Sequence, residues 1–405
     1  MLRRSMLLLA SCALAGTASA QATERWVPAW FAPAIGYEPA IKDALGRPYD
    51  NETVRQEVRI GTPGKVIRLR LSNELGDAPL AIGAVSVMRL DVAGKPVAGS
   101  LRKLAFAGQG GIIIPARAPM LSDQLNLTVQ PGDRLAISVH YSGEAKVAAH
   151  AQMVDVAGPG DFTYREALPS PRRVRAGGIV SGVEVDSDSR AILVAFGDSI
   201  TEGAGASPGK GMSWPDQLAR LLAGEKAGRC WAIANAGISG NRLLHDGRGP
   251  NALARFDRDV LSVPGATHVV ILEGINDIGK VSDPARQYQQ VSADRIIGAY
   301  QQLLERAKAR GLRVFIGTLL PYEGAAYADA AGEARRQTVN RWIRDNAARF
   351  HAVIDFDRAM QEPGQPMVMR LSDQIGDHLH PNDAGYGRMA ATALPIILAQ
   401  GACGK

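Results

Sequence analysis

The sequence predicts an α/β protein in two parts, an all-β sandwich of the jelly-roll type followed by a three-layer α/β/α domain with a parallel sheet. Short runs of alternating apolar and polar residues, separated by turn residues, extend from Trp26 to about Ser187. After residue 190, strand-like apolar runs alternate with amphipathic helical patterns. The predicted boundaries are 21–167 for the sandwich, 168–189 for a connector and 190–405 for the α/β domain.

Residues 1–20 have the composition of a secretory signal peptide. Arg3 and Arg4 precede an apolar run over 6–15, and small residues at 18–20 offer a cleavage point. We therefore expect a mature protein that begins near residue 21 and is secreted or periplasmic. A lipid anchor on Cys12 is the less favoured alternative, because the apolar segment before that cysteine is short.

Charge and hydropathy exclude two classes of partner. The formal charge falls from +6 to +4 when the two arginines of the leader are removed. The basic residues are scattered, so nucleic acid is not an expected partner. After the leader, no segment reaches the roughly 18 apolar residues of a membrane span.

The first part consists of predicted strands with no catalytic cluster among them. Residues 66–71 show the pattern best, because Val, Ile and Leu alternate with polar residues as in a half-buried strand. Taken alone, this part would be interpreted as a carbohydrate-binding or scaffold sandwich. The predicted strands are 53–60, 66–71, 82–90, 111–114, 125–129 and 134–141.

The second part reads as five βα units, which favours a parallel sheet covered by helices on both faces. The Pro- and Arg-rich connector before it could hold one further strand, at 178–185. The predicted strands are 192–196, 230–235, 268–272, 314–319 and 352–356. The predicted helices are 214–222, 251–261, 293–310, 333–350 and 383–400.

Ser199 follows the first of these strands directly, at the start of a helix. Parallel sheets place ligands at the carboxyl ends of their strands, and helix N-termini favour developing negative charge. We interpret Ser199 as a nucleophile whose own N–H serves an oxyanion site. Taken without partners, Asp198 or Ser199 would be explained as a helix cap.

The next two strands end in further donors for such an oxyanion. Residues 235–241, Asn-Ala-Gly-Ile-Ser-Gly-Asn, follow the second strand, and we predict that Gly237 presents its N–H there. Asn276 follows the third strand, and its carboxamide is a neutral donor. Ser199, Gly237 and Asn276 together would supply three donors to a tetrahedral intermediate.

The predicted base lies near the chain's other end. Asp377 and His380 are three residues apart, so the carboxylate can accept from one ring nitrogen while the other ring nitrogen faces the serine. A metal site formed by Asp377, His378, His380 and Asp383 is the disfavoured alternative, because no further His or Cys follows another strand. We therefore predict no metal and no cofactor.

These blocks, Gly197-Asp198-Ser199, Gly237, Gly274 to Asp277 and Asp377 to His380, resemble those of the SGNH (GDSL-type) hydrolase superfamily. The resemblance implies a flavodoxin-like sheet and a serine esterase with Ser199 as nucleophile, His380 as general base and Asp377 orienting it. It assigns the oxyanion hole to Ser199, Gly237 and Asn276. The first part, with Val-Ile-Arg-Leu-Arg-Leu-Ser-Asn-Glu at 66–74 and Ser122-Asp123, further resembles the secreted two-domain XynE-like xylan esterases.

The resemblance implies an ester substrate, foremost an acetylated polysaccharide or oligosaccharide. A general carboxylesterase, arylesterase or lipase would use the same residues, as would a polysaccharide O-acetyltransferase. A non-catalytic sugar-binding module is disfavoured by the complete set of blocks.

Two cysteines remain after the leader, Cys230 and Cys403. In an oxidising compartment they either form a disulfide or remain separate thiols, and both alternatives stay open on sequence alone.

Overall fold

The computed structural model describes residues 24–40, 44–279, 281, 284–400 and 403. The predicted signal peptide lies outside these residues. The described chain has the two predicted parts, a region of antiparallel sheets followed by a parallel sheet with helices on both faces. Among the described residues, no helix combines the length and the apolar character needed to cross a membrane.

The N-terminal part contains two antiparallel sheets whose inward side chains share one core. Strands β1, β3, β7, β8 and β12 form one sheet, and β2, β4, β5, β6, β9, β10 and β11 form the other. The strands are β1 Trp26–Phe31, β2 Tyr49–Arg59, β3 Gly64–Ser72, β4 Leu80–Leu90, β5 Arg102–Lys103, β6 Ile112–Ile114, β7 Pro119–Leu121, β8 Leu125–Val129, β9 Arg134–Ala145, β10 His150–Ala157, β11 Arg172–Gly178 and β12 Val180–Asp186.

The structure differs from the prediction of a connector over 168–189. Strand β11 is an edge strand paired with β10. The further strand allowed at 178–185 is present as β12, which lies between β1 and β3 in the other sheet. The prediction missed β11 because its arginine-rich sequence lacks the apolar alternation of a strand. An exposed sheet edge tolerates such charged residues. The chain therefore leaves the sandwich only after Asp186.

The second part is built on a parallel sheet in the order β14-β13-β15-β16-β17 among the described strands. In chain order this is 2-1-3-4-5, the flavodoxin-like arrangement, which confirms the predicted fold class. From β13 the chain adds β14 on one side of the sheet and then crosses over to add β15 on the other side, so the strand order reverses between β13 and β15. A ligand site is expected beyond the carboxyl ends of those two strands.

Each predicted strand and long helix of this part has a counterpart within a few residues. A two-stranded hairpin of β18 and β19 follows α7. The strands are β13 Ala191–Gly197, β14 Trp231–Gly237, β15 His268–Leu272, β16 Arg313–Gly317, β17 Ala352–Ile354, β18 Gln361–Glu362 and β19 Gln365–Met369. The α-helices are α1 Ser199–Glu202, α2 Trp214–Gly224, α3 Ala252–Phe256, α4 Ile275–Ile278, α5 Ala293–Ala309, α6 Ala330–Asp345, α7 Phe356–Met360 and α8 Asp383–Leu398.

Local sequence explains where these helices begin. Ser213 caps α2 by accepting from the Asp216 N–H, and Asn382 caps α8 by accepting from the N–H groups of Ala384 and Gly385. Strand β13 is buried along its whole length, as its unbroken apolar sequence requires. The sheet thus provides a rigid base for the turns at its carboxyl edge.

Cys230 and Cys403 form a disulfide, with Cα atoms 5.2 Å apart. Of the two alternatives left open by the sequence, the structure shows the paired state. Cys230 directly precedes β14, so the bridge joins the chain's C-terminal end to the amino edge of the sheet. That edge is opposite the strand ends that carry the predicted site.

We expect the double replacement Cys230→Ser with Cys403→Ser to lower the free energy of unfolding by about 2–4 kcal/mol, because the bridge closes a long loop in the unfolded chain. The sequence separation is 173 residues. Chemical denaturation of both proteins under oxidising conditions measures the difference. Ester turnover in native buffer serves as the control and should persist, and equal unfolding midpoints would contradict the prediction.

Candidate active site

The turn between β13 and α1 presents Ser199 at the carboxyl edge of the sheet. Asp198 caps α1, its carboxylate accepting from the Ile200 N–H at 2.9 Å. Ser199 is therefore the first residue of the helix, and its own N–H finds no acceptor among the described residues. The cap and the candidate nucleophile are thus adjacent residues with separate tasks.

The structure brings Ser199, His380 and Asp377 into one hydrogen-bonded chain. The Ser199 hydroxyl lies 2.8 Å from Nε2 of His380, and Nδ1 of His380 lies 2.6 Å from Oδ2 of Asp377. An ionised carboxylate only accepts, so the ring carries its proton on Nδ1 and Nε2 can accept from the serine. This is the geometry of a nucleophile, a base and an orienting acid.

Asp377 is held by its own loop. Its Oδ1 accepts from the backbone N–H groups of Leu379 at 3.0 Å and His380 at 2.9 Å. Burial alone would raise the pKa of Asp377, but these bonds and the imidazole of His380 lower it below its usual range. The carboxylate is therefore ionised, and only Oδ2 is left to face the imidazole. Helix α8 begins beyond this loop, at Asp383.

The two other members of the alternative metal set lie elsewhere. Asp383 accepts from the hydroxyl and the N–H of Ser207, at 2.6 and 2.7 Å. His378 has a φ of 58° and packs its ring against Gly324. Within the described residues, no group of three or more His, Cys, Asp or Glu is arranged to hold a metal ion.

The structure differs from the prediction at Gly237. Its N–H donates to Oδ1 of Asn235 at 3.0 Å, so that hydrogen already has an acceptor. A side chain at Gly237 would instead collide with α1, because its Cβ would lie 2.1 Å from the Glu202 nitrogen. The glycine is needed for close packing of the helix on the strand.

Gly240, three residues later in the same loop, offers a free donor. Its N–H has no acceptor among the described residues, and its φ of 74° suits glycine. The neighbouring Asn241 carbonyl accepts from Nδ2 of Asn276 at 2.9 Å. The repeated glycine of the Asn-Ala-Gly-Ile-Ser-Gly-Asn segment was the signal for Gly240, but sequence alone did not say which N–H stays free.

Asn276 has a fixed orientation. Its Oδ1 accepts from the Tyr327 hydroxyl at 3.2 Å, which leaves Nδ2 on the side of Asn241 and Gly240. One Nδ2 hydrogen reaches the Asn241 carbonyl, and the second has no acceptor among the described residues. Tyr327 was missed at the sequence level because nothing in its surroundings marks it as part of the site.

A buried arginine, also missed, joins the turns that carry these donors. Arg255 on α3 donates to the carbonyls of Gly197 and Ala236, and its Nε donates to Oδ1 of Asn241, each at 2.8 Å. Gly197 and Ala236 lie at the ends of β13 and β14. Arg255 therefore fixes the spacing between the serine turn and the Gly240 loop.

Asp198 and Glu273 lie near this arginine, and Asp277 in turn interacts with both carboxyl groups. Burial is the main cause that raises the pKa of Asp198 to about 7 and that of Asp277 to about 6. Burial also raises the pKa of Glu273, whose Oε2 lies 3.6 Å from Arg255. Asp277 accepts from the N–H groups of Leu243 and Leu244, so this cluster further anchors the Gly240 loop.

Glu202, at the end of α1, connects the site to the N-terminal part. Its Oε1 lies 3.5 Å from Nε2 of His150 on β10, while Nδ1 of His150 lies 2.9 Å from the Pro33 carbonyl. Its Oε2 accepts from the Ser239 N–H. Burial would raise the pKa of Glu202, but the bonds from His150 and Ser239 lower it to about 2.

We expect Glu202→Gln to destabilise the protein most above pH 4.5, the ordinary pKa of a glutamate. A depressed pKa stabilises the folded state once the unfolded group is ionised, and this stability is lost as the pH falls through about 2. Urea unfolding of both proteins across this range measures the difference, with the exposed Glu305→Gln as control. A difference that does not change with pH would contradict this.

Comparison with known proteins gives a family match within the second part. Residues 195–388 match the GDSL-like Lipase/Acylhydrolase family. The match contains all the residues described above at the carboxyl edge of the sheet. No curated protein matches the chain.

Similar solved structures cover about half of the chain. A putative lipolytic protein of the G-D-S-L family from Desulfitobacterium hafniense is 20% identical, with a TM-score of 0.40, over 51% of this chain and 99% of its own. A putative acylhydrolase from Bacteroides fragilis is 21% identical, with a TM-score of 0.40, over 53% and 90%. A variant of an acetyl xylan esterase from Geobacillus stearothermophilus is 23% identical, with a TM-score of 0.40, over 52% and 95%.

Proposed function

We propose that this chain, whose residues 195–388 belong to the GDSL-like lipase/acylhydrolase family of ester-hydrolysing enzymes, is a serine esterase that removes acetyl or similarly small acyl groups from a polysaccharide. The observation that carries the proposed mechanism is the 2.8 Å contact between the Ser199 hydroxyl and Nε2 of His380. His380 is in turn oriented by Asp377.

The reaction proceeds through an acyl-serine. Ser199 Oγ attacks the ester carbonyl carbon while His380 Nε2 takes the hydroxyl proton, which gives a tetrahedral oxyanion. The intermediate collapses, the carbon–oxygen bond to the alcohol breaks, and His380 returns the proton to the leaving alkoxide. Water then attacks the acyl-serine with His380 again as base, and a carboxylic acid leaves with Ser199 restored.

The oxyanion would be stabilised by three donors. They are the N–H groups of Ser199 and Gly240 and the second Nδ2 hydrogen of Asn276, because each of these is free of other acceptors in the described structure. Donors fixed in place before the reaction lower the barrier without reorganising at that moment. Arg255 and Tyr327 contribute by holding the loop and the carboxamide in place.

We expect Asn276→Ala to lower kcat by roughly 100- to 1,000-fold with a small change in KM, because the donor acts mainly on charge that forms in the transition state. Steady-state kinetics on phenyl acetate measures both constants. The exposed Asn126→Ala on β8 is the matched control. A variant that keeps the wild-type kcat would exclude Asn276 from the oxyanion hole.

The character of the adjoining cleft supports a sugar ester over a lipid. Charged side chains of both parts line that cleft, including Arg134 and Asp216, and they interrupt the apolar surface of Trp30 and Phe31, whereas a long acyl chain needs extended apolar surface. The two products of sugar-ester hydrolysis, a small carboxylic acid and a sugar hydroxyl, are polar and suit such surroundings. The Cys230–Cys403 disulfide supports an oxidising, extracytoplasmic location.

One assay separates this proposal from its rivals. The enzyme is incubated with acetylated xylan oligosaccharides, phenyl acetate, a long-chain ester and an unacetylated acceptor sugar, and free and transferred acetate are quantified. The proposal expects the highest kcat/KM on the oligosaccharide and release of free acetate. Preference for the long-chain ester would indicate a lipase, and acetate transfer to the acceptor would indicate a transferase.

A further inference from the structure

A cleft of about 770 Å³ lies between the two parts of the chain, and its wall includes Glu202, three residues after Ser199. This volume is in the range of small-molecule sites, which often lie at domain interfaces. Glu202 and Gly237 form part of its catalytic-domain wall. Ser199 and Glu202 are three residues apart on α1 and so project from the same side of the helix. The cleft therefore begins within one helical turn of the nucleophile.

Four arginines of the N-terminal part line this cleft from one sheet, namely Arg59 of β2, Arg134 of β9 and Arg173 and Arg175 of β11. On β2, Val54, Gln56 and Val58 are buried, which leaves Arg59 on the opposite face. Arg59 and Arg134 are direct cross-strand partners. Like charges placed opposite each other destabilise a sheet, so the fold alone does not account for this pair.

Two of these arginines are neutralised within the sheet. Arg134 pairs with Glu57 at 2.7 Å, and Arg173 pairs with Asp155 at 3.0 Å. Glu57 also lies 3.9 Å from Arg173. Arg134 and Arg173 are therefore not the main source of positive potential in the cleft.

The remaining cations line the cleft with no carboxylate oxygen within 4 Å among the described residues, although Asp216 attracts Arg59 and Asp383 attracts Lys210 over a longer distance. Arg59 donates to the carbonyls of Gly132 at 3.0 Å and Gly209 at 3.1 Å, and its buried Nε has no partner in the described structure. Arg175 is half-buried, and Lys210 stands on the loop after α1. Neither has an ion pair or a side-chain hydrogen bond among the described residues.

We propose that this cleft binds the carboxylate groups of an acidic, uronate-bearing polysaccharide while Ser199 removes an acyl group from the same chain. The guanidinium of Arg175 and the ammonium of Lys210 would receive the carboxylates, and planar guanidinium groups suit carboxylates by two-point hydrogen bonding. Half-buried Trp30 and Phe31 line the same cleft and offer flat apolar surface to sugar rings. The inference rests on the esterase function proposed above.

A matched pair of substrates tests the charge requirement. One is an acetylated xylo-oligosaccharide that carries a single glucuronic acid, and the other is the same molecule with that carboxyl replaced by a primary alcohol. We expect kcat/KM to favour the acidic substrate by about tenfold or more, chiefly through KM, because a charged hydrogen bond contributes on this scale. Raising the salt from about 0.05 M to about 0.5 M should reduce the preference, because the cleft is open to solvent.

Variants locate the effect. We expect Arg175→Gln with Lys210→Gln to remove most of the preference for the acidic substrate, about tenfold in the ratio of the two kcat/KM values. Arg313→Gln is the matched control, because Arg313 is exposed at the amino end of β16, on the opposite edge of the sheet. Its ratio should equal that of the wild type. Thermal unfolding of each variant reports whether the fold is retained.

Failure of this inference is distinct from failure of the proposed function. Equal kcat/KM values for the two substrates, or a preference that survives the double replacement, would overturn the acidic-glycan cleft while leaving the esterase proposal intact. If the enzyme releases acetate from neither substrate nor from phenyl acetate, the esterase proposal fails. Calorimetry with the deacetylated acidic oligosaccharide then tests whether the cleft binds an acidic glycan. Saturable binding that the double replacement weakens supports the inference, and absence of binding overturns it.

Discussion

Replacing Ser199 with alanine is expected to lower kcat for ester hydrolysis by roughly 10⁵- to 10⁶-fold, the scale seen when a nucleophile is removed from a hydrogen-bonded triad. The reason is local. Ser199 is only 5% exposed, and its hydroxyl is hydrogen-bonded to Nε2 of His380. In the described structure no other hydroxyl is bonded to that nitrogen. The residual rate would come from the oxyanion donors and from substrate binding.

The chain supplies its own control for this experiment. Residues 205–209 fit the Gly-x-Ser-x-Gly pattern of another nucleophile motif, but Ser207 lies in a loop and its hydroxyl donates to Asp383 at 2.6 Å. We expect Ser207→Ala to keep most of the activity. A fluorophosphonate should label Ser199 in the wild type, as read by peptide mass spectrometry. Label on Ser207, or an active and folded Ser199→Ala, would refute the assignment.

The catalytic part could be predicted well because its elements are set by local patterns. Buried parallel strands such as β13 and β15 are continuous apolar runs, and the intervening helices have amphipathic periodicity. The N-terminal part was less accessible. Strand β11 carries three arginines and lies at a sheet edge. Among the described strands it pairs only with β10, and several of the paired residues are more than twenty positions apart in the sequence. Its charged sequence has no core signal of its own.

The site shows the same division. Ser199, Asp377, His380 and Asn276 follow predicted elements at strand ends, and the parallel sheet brings such ends together. Whether Gly237 or Gly240 offers a free N–H to the oxyanion depended on one side chain, because Asn235 Oδ1 already accepts from the Gly237 N–H. The contact between His150 and Glu202 depends on how the two parts of the chain dock. No periodicity or spacing encodes that arrangement.

Replacing Asp377 with asparagine is expected to lower kcat by about 10⁴-fold, the effect of a wrong histidine tautomer in a triad. The loop geometry gives the reason. Oδ1 of Asp377 accepts from the N–H groups of Leu379 and His380, so the amide oxygen of the asparagine will keep that place. Its NH₂ group then faces Nδ1 of His380, which must accept. The ring proton moves to Nε2, and the imidazole can no longer take the proton of Ser199.

Nitrogen NMR of the His380 ring tests this directly. The wild type should carry its proton on Nδ1 and the Asp377→Asn variant on Nε2, while thermal unfolding stays similar because the loop keeps both backbone bonds. Asp294→Asn, an exposed change at the start of α5, is the matched control and should leave the His380 ring signals and kcat as in the wild type. A folded Asp377→Asn protein with wild-type kcat would show that Asp377 does not orient the base. A kcat loss without a change of tautomer would assign Asp377 an electrostatic task, stabilising the imidazolium that forms as Ser199 attacks.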